Sequence, residues 1–164
     1  MGERHPLVRQ LGDPILRTPA TQVTVFDQRL QDQVDRMFVV MAEAEGVGLA
    51  ANQIGSGISL FVFDCDGVRG AVANPRITVL DDTEVLANEG CLSVIGQSYE
   101  LVRPQAVRVD GQGPDGEPVS YPGEGYLGRC FQHETDHLGG RLYVDLLPRD
   151  LRRLALQRST VVPG

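Results

Sequence analysis

Residues 124–138 read EGYLGRCFQHETDHL, and the reading of this stretch decides how the rest of the chain is arranged. A helix over 124–138 places positions four apart on one face, so His133 and His137 can grip a single metal ion. Glu134 stands one step round, where its carboxylate can reach a water at the metal rather than the metal itself. The chain holds three histidines in all. Two of them at this spacing around a glutamate outweigh the plain alternative, a helix with scattered surface polar groups. The pattern by itself names no substrate.

The third ligand separates the families that use such a helix. A zinc protease that extends the motif wants a further histidine three residues after Gly140, and that residue is Tyr143. Another protease class takes a downstream glutamate, and none follows Glu134. The remaining histidine, His5, lies near the chain start. Cys130 shares the helix, but sits ~7.5 Å along the axis from the midpoint of the two histidines at 1.5 Å rise per residue, too far for a short side chain. Cys65 lies in an apolar run between Asp64 and Asp66 and reads as buried filler. Cys91 lies in Glu89-Gly90-Cys91-Leu92-Ser93, where a strand-like run meets a glycine and a side chain can project onto a neighbouring helix. Cys91 is therefore the expected third ligand.

Outward from this helix the chain alternates short apolar runs with turn residues. Asp27 caps a helix over 27–44, whose Leu30, Val34, Met37, Phe38 and Met41 share one face. Glu45-Gly46 provides the glycine that a helix end favours. Asp13-Pro14 opens a short helical turn. Strands are expected at 58–64, 70–74, 77–80, 84–90 and 105–111, with a further strand from Leu142 to Leu146 and a final helix from Pro148. The expectation is an α+β fold: short antiparallel or mixed sheets packed around the central metal-binding helix 124–138, with the N-terminal helix 27–44 and a C-terminal helix.

Composition bounds the rest. A chain of 164 residues suits one domain, 1–164. With 41% hydrophobic and 23% charged residues it has ordinary globular composition. Its net charge of −7 argues against general nucleic-acid binding, and no specific DNA contact is expected. All 15 basic residues are arginine, and Arg149, Arg152, Arg153 and Arg158 give residues 148–164 a local charge of +3, leaving −10 for the rest. A charge run of this kind is usually a solvated helix face. The apolar run Met37 to Ala42 is far too short to span a membrane. The start, MGERHPLVRQ, lacks the apolar centre of a secretory signal, and Pro6 stands where a myristoylation motif wants Ser or Thr. A cytoplasmic location is expected. Three cysteines do not make a disulfide scaffold.

Three motifs in one order then make a resemblance plain. They are Gly46-Val47-Gly48-Leu49-Ala50-Ala51-Asn52-Gln53, Glu89-Gly90-Cys91-Leu92-Ser93 and Gln132-His133-Glu134-Thr135-Asp136-His137-Leu138. The chain resembles the bacterial peptide deformylases from Gly12-Asp13-Pro14 to about Leu147. It departs from many relatives at Ile95, where they carry proline, and at Tyr126 and Arg129, which are bulkier or more polar than in some.

The resemblance implies a hydrolase that removes the formyl group from N-terminal formyl-methionine of new polypeptides. It implies one divalent ion, Fe2+ first, with Zn2+, Ni2+ or Co2+ able to substitute, held by Cys91, His133 and His137. It makes Glu134 the general base and then the acid, with the Gln53 amide and the Leu92 backbone N–H as donors to the developing oxyanion. Gly46, Val47, Gly48 and Gly90 become main-chain contacts to an extended peptide. Tyr126, Arg129 and Cys130 line the side-chain pocket with Glu89, which is also placed to pair with Arg103 and brace the ligand loop. The arginine-rich tail becomes a transient ribosome contact. Two other readings compete: a metallopeptidase, which has no use for Cys91 or the Gln53 motif, and a metal-stabilised binding module, which would need a fourth protein ligand and would leave Glu134 idle.

Overall fold

The strand Leu60–Cys65 (β2) carries apolar residues on both faces, because both of its faces are covered. Leu60 and Val62 join the core beneath helix α1 (Gln28–Glu43) with Val34, Met37 and Met41. Phe61, Phe63 and Cys65 point the other way and pack with Phe131 of helix α2 (Gly125–Leu138) and with Val107 and Val109. A period of two sorts successive residues onto opposite faces, so a strand between two helices reads as an unbroken apolar run. The architecture is α+β, and a computed structural model describes residues 3–160 of it. Gly2 and the last four residues of the arginine-rich tail, 161–164, lie outside the described residues.

One five-stranded sheet holds β1 (Gly48–Ala50), β2, β3 (Val68–Cys91), β4 (Val94–Gln112) and β5 (Pro118–Glu124), in chain order and antiparallel throughout. Parallel pairing among the described residues is confined to the bridge Thr21↔Ile58, so the sheet is antiparallel rather than mixed. The strands are also longer than expected. The runs 70–74, 77–80 and 84–90 belong to one strand, β3, because Pro75 and Asp81-Asp82-Thr83 fall at register shifts between Ala73/Arg76, Val79/Asp81 and Asp81/Glu84. A bulge bends a strand without ending it. The strand β5 lies outside the expected runs and carries two prolines, Pro118 and Pro122. It is one of the two edge strands of the sheet, where a missing N–H costs least.

The helices keep their caps. Asp27 accepts the Leu30 N–H, and Asp13 accepts the Ile15 N–H at the 3₁₀ turn Pro14–Arg17. The left-handed residue after α1 is Glu45 (φ 58°) rather than the expected glycine at 46. Residues 142–146 form a 3₁₀ turn, Tyr143–Leu146, and not a strand. The Asp145 carboxylate accepts the Leu142 N–H and closes it, and a short apolar run cannot reveal that choice. Helix α3 (Arg149–Thr160) follows Pro148 and places Ala155 in one buried cluster with Tyr143, Val144 and Cys91. No helix among the described residues is long and apolar enough to cross a membrane.

Candidate metal centre

Cys91 ends β3, and His133 and His137 stand one turn apart on α2. All three are buried, and their donor atoms lie within 4.8 Å of one another. The Cys91 Sγ is 3.3 Å from His137 Nε2, which is 3.2 Å from His133 Nε2. One thiol and two imidazole nitrogens converging on a point form a donor set suited to a divalent transition metal, and the residues present fit such an ion. Cys65 and Cys130 stay out of the cluster, as expected. Burial pushes the Cys65 thiol up to about 11 and the Cys130 thiol well above its ordinary value, so both are held as inert thiols. Cys130 Sγ instead lies 3.8 Å from the Val47 carbonyl.

A buried ion-pair network holds His133. Its Nδ1 is 2.7 Å from Glu89 Oε2, which fixes the ring with Nε2 turned to the cluster. Arg103 meets Glu89 with Nε at 2.8 Å and Nη2 at 2.7 Å, and its Nη1 donates to Asp136 at 3.0 Å. The expected Glu89–Arg103 pair is thus a bidentate, buried one. Burial alone would push the Glu89 carboxyl up, but hydrogen bonds from Arg103 and His133 outweigh it and hold the group well below the usual carboxylate range. Burial keeps His137 well below the ordinary imidazole value, in the neutral form a ligand needs.

Glu134 lies beside the cluster without joining it. Its Oε1 is 4.0 Å from His133 Nε2, and its Oε2 is buried with no hydrogen-bond partner. Burial raises its carboxyl to about 7, the range a proton-transfer group near neutral pH requires. Gln53 is fixed by its own turn, Ala51–Ile54, where its Oε1 accepts the Ala50 N–H at 2.9 Å. Its Nε2 donates to Ser93 Oγ at 3.1 Å and points at Cys91 Sγ, 3.7 Å away.

A cavity of about 450 Å³ opens on these groups, lined among others by Gly46, Val47, Gly48, Glu89, Gly90, Leu92, Tyr126, Arg129 and Cys130. Tyr126 is 55% exposed and stands at its rim. Arg129 lines it as a buried side chain whose charge is engaged: Nη1 meets Glu89 at 3.3 Å and the Leu101 carbonyl at 3.1 Å, and Nη2 meets the Val85 carbonyl at 2.8 Å. It offers the cavity little free charge. Gly48 lets β1 approach α2, since a Cβ there would lie 2.7 Å from Glu134 Oε1 and 2.9 Å from Cys130 Sγ. Sequence reasoning gave no role to Asn52, Ser93 or Asp136. Their partners sit in distant segments, and the motifs that contain them carried the only available signal.

The comparisons with known proteins agree with this geometry. The sequence profile of the family described as Polypeptide deformylase matches residues 6–153. The peptide deformylase of Acidothermus cellulolyticus is 45% identical over 150 residues, covering 92% of this chain and 83% of that one. A crystal structure of a peptide deformylase from Legionella pneumophila superposes with a TM-score of 0.87 at 41% identity, covering 93% of this chain and 90% of the other. One from Synechococcus elongatus in complex with actinonin gives a TM-score of 0.88 at 35% identity, over 99% and 90%. With the profile spanning most of the chain and a Cys/His/His metal site in place, the chain belongs to the polypeptide deformylase family.

Proposed function

We propose that Cys91, His133 and His137 hold one Fe2+ ion, for which Zn2+, Ni2+ or Co2+ can substitute, and that Glu134 moves the proton in the reaction. The protein is a metal-dependent hydrolase that removes the N-formyl group from N-terminal formyl-methionine of newly made polypeptides and releases formate. The observation that carries the assignment of roles is a set of three donor atoms within 4.8 Å beside a buried carboxylate that stays out of the set. When bound, such a cation supplies Lewis acidity and makes water acidic at a pH of about 7.

Glu134 accepts the proton that water gives up on attacking the formyl carbon, and returns it to the amine nitrogen as the C–N bond breaks. Charge develops on the formyl oxygen, and the Gln53 Nε2 and the Leu92 backbone N–H donate to it. Gln53 is suited to this because Oε1 is anchored to Ala50, leaving the amide nitrogen aimed at the site. The peptide lies extended against Gly46-Val47-Gly48 and Gly90, a strand-addition mode. Its methionine side chain enters the cavity between Tyr126 and Cys130, with Glu89 and Arg129 in the wall. Residues 1–164 act as one catalytic domain in the cytoplasm. The exposed Arg149, Arg152, Arg153 and Arg158 of α3 offer a transient contact to ribosomal RNA.

The test is formate release from formyl-Met-Ala-Ser by protein purified without oxygen and loaded with Fe2+. Turnover is expected, and Glu134→Ala should abolish it while retaining the metal. Tight binding of one metal with no turnover would defeat the assignment.

A further inference from the structure

The turn that carries Gln53 reaches a second metal ligand through its neighbour. Asn52 is 1% exposed, and its Nδ2 donates to the main-chain carbonyl of His137 at 2.6 Å, across 85 residues of sequence. That carbonyl lies in the last turn of α2, where carbonyls have no partner further along the helix. It also accepts the Gly140 N–H at 3.0 Å, in the turn that ends the helix. Asn52 is therefore the side chain that ties the C-terminal end of α2, and with it the His137 ligand, to the turn Ala51–Ile54. Gln53 in the same turn donates to Ser93 and aims at Cys91 Sγ at the end of β3. Consecutive residues of one turn thus fix two of the three donor groups, which come from different elements.

We propose that Asn52 is a positioning residue that holds His137 in register with Cys91, so that the three donors are convergent before a metal arrives. The inference rests on the ligand set assigned above. The observations single out hydrogen-bond donation rather than bulk as the property that matters. The His137 carbonyl already accepts the Gly140 N–H, so the Asn52 bond is an additional one that joins the turn Ala51–Ile54 to the helix end, and a carboxylate of the same shape in place of Asn52 would set oxygen against oxygen. Outer-shell partners that orient a metal ligand contribute about 10- to 100-fold to metal affinity, and Asn52 acts on the backbone that carries His137. Asn52 Oδ1 and His137 Nδ1 are both buried without a partner.

The test uses the full chain loaded with Co2+, whose visible ligand-field bands report the geometry of the Cys91, His133 and His137 donors. Asn52→Asp keeps the shape and replaces the donor with an acceptor, and Asn52→Leu keeps the bulk and removes both. Both should lose Co2+ to a chelator about 10- to 100-fold faster and show shifted bands. In deformylation, kcat should fall with KM little changed. His137→Ala is measured alongside and should lose the metal outright. Co2+ release and bands in both Asn52 variants equal to those of the unsubstituted protein, while His137→Ala loses the metal, would overturn the clamp and leave the ligand set standing. Retention of Co2+ with unchanged bands in His137→Ala would overturn the ligand set itself.

Discussion

Gly48 and Glu134 meet where the cleft edge touches the metal helix, and a single methyl group decides whether they can. A Cβ at position 48 would sit 2.7 Å from the Glu134 carboxylate, so Gly48→Ala should displace the proposed base. Deformylation should fall by about 10²–10⁴, the range of a lost acid–base group, while metal content by elemental analysis is unchanged. The protonation of Glu134 gives a second prediction. A carboxyl raised to about 7 by burial is a base only above its pKa, and a cation bound alongside lowers that value. The kcat/KM of the metal-loaded enzyme should therefore show an acid limb that lies below pH 7, and removing the metal should move the Glu134 titration up towards 7. Arg103 acts at one remove, through Glu89 on His133. Arg103→Glu removes the bidentate cation from buried Glu89, leaving it Arg129 at 3.3 Å, and sets a new carboxylate against it, a loss of about 3–5 kcal/mol. A lower unfolding midpoint and weaker metal retention are expected, and an unchanged metal content would rule out the brace.

At the scale of elements, α2 is buried on several sides. It presents Phe131 to the sheet and His133 and Glu134 to the cleft, sets His137 beside Cys91, and its end is tied to Asn52. The hairpin between β3 and β4 is tied in turn to α3. Gln97, which lines the cavity, donates from Nε2 to the Ala155 carbonyl at 3.3 Å and to Ser159 Oγ at 3.2 Å. Its own carbonyl accepts from Tyr143. Gln97→Ala should cost about 1 kcal/mol per hydrogen bond lost and loosen the cleft rim. The expected signature is a raised KM for formyl-Met-Ala-Ser with kcat and metal content retained. An unchanged KM would show that the rim holds its shape without α3.

For the whole molecule, charge is segregated: the +3 of residues 148–164 stands against −10 elsewhere. Arg149, Arg152, Arg153 and Arg158 are exposed, and Arg152 lies 3.9 Å from Asp145. If this face contacts ribosomal RNA, removing residues 148–164 should flatten the salt dependence of ribosome binding. An equal affinity and slope in a folded truncated protein would exclude docking through this tail.

How much was legible in the chain follows from the range of each interaction. Helical spacing put His133 and His137 on one face, caps at Asp13 and Asp27 marked two helix starts, and elimination among three cysteines reached Cys91. These depend on neighbours a few residues apart, so they are written locally. The continuity of β3 through Pro75 and Asp81-Asp82-Thr83, and the turn at Tyr143–Leu146, depend on what packs across them. The burial of Arg129 against Glu89 and the grip of Asn52 on His137 join residues 40 and 85 positions apart. The sequence by itself determined which residues stand at metal-ligand spacing and on which kind of element they sit, because side-chain type and backbone period are local properties. Only the tertiary structure decided which of those groups meet and which charges are spent on one another, because a buried polar group takes its partner from whichever segment folds against it.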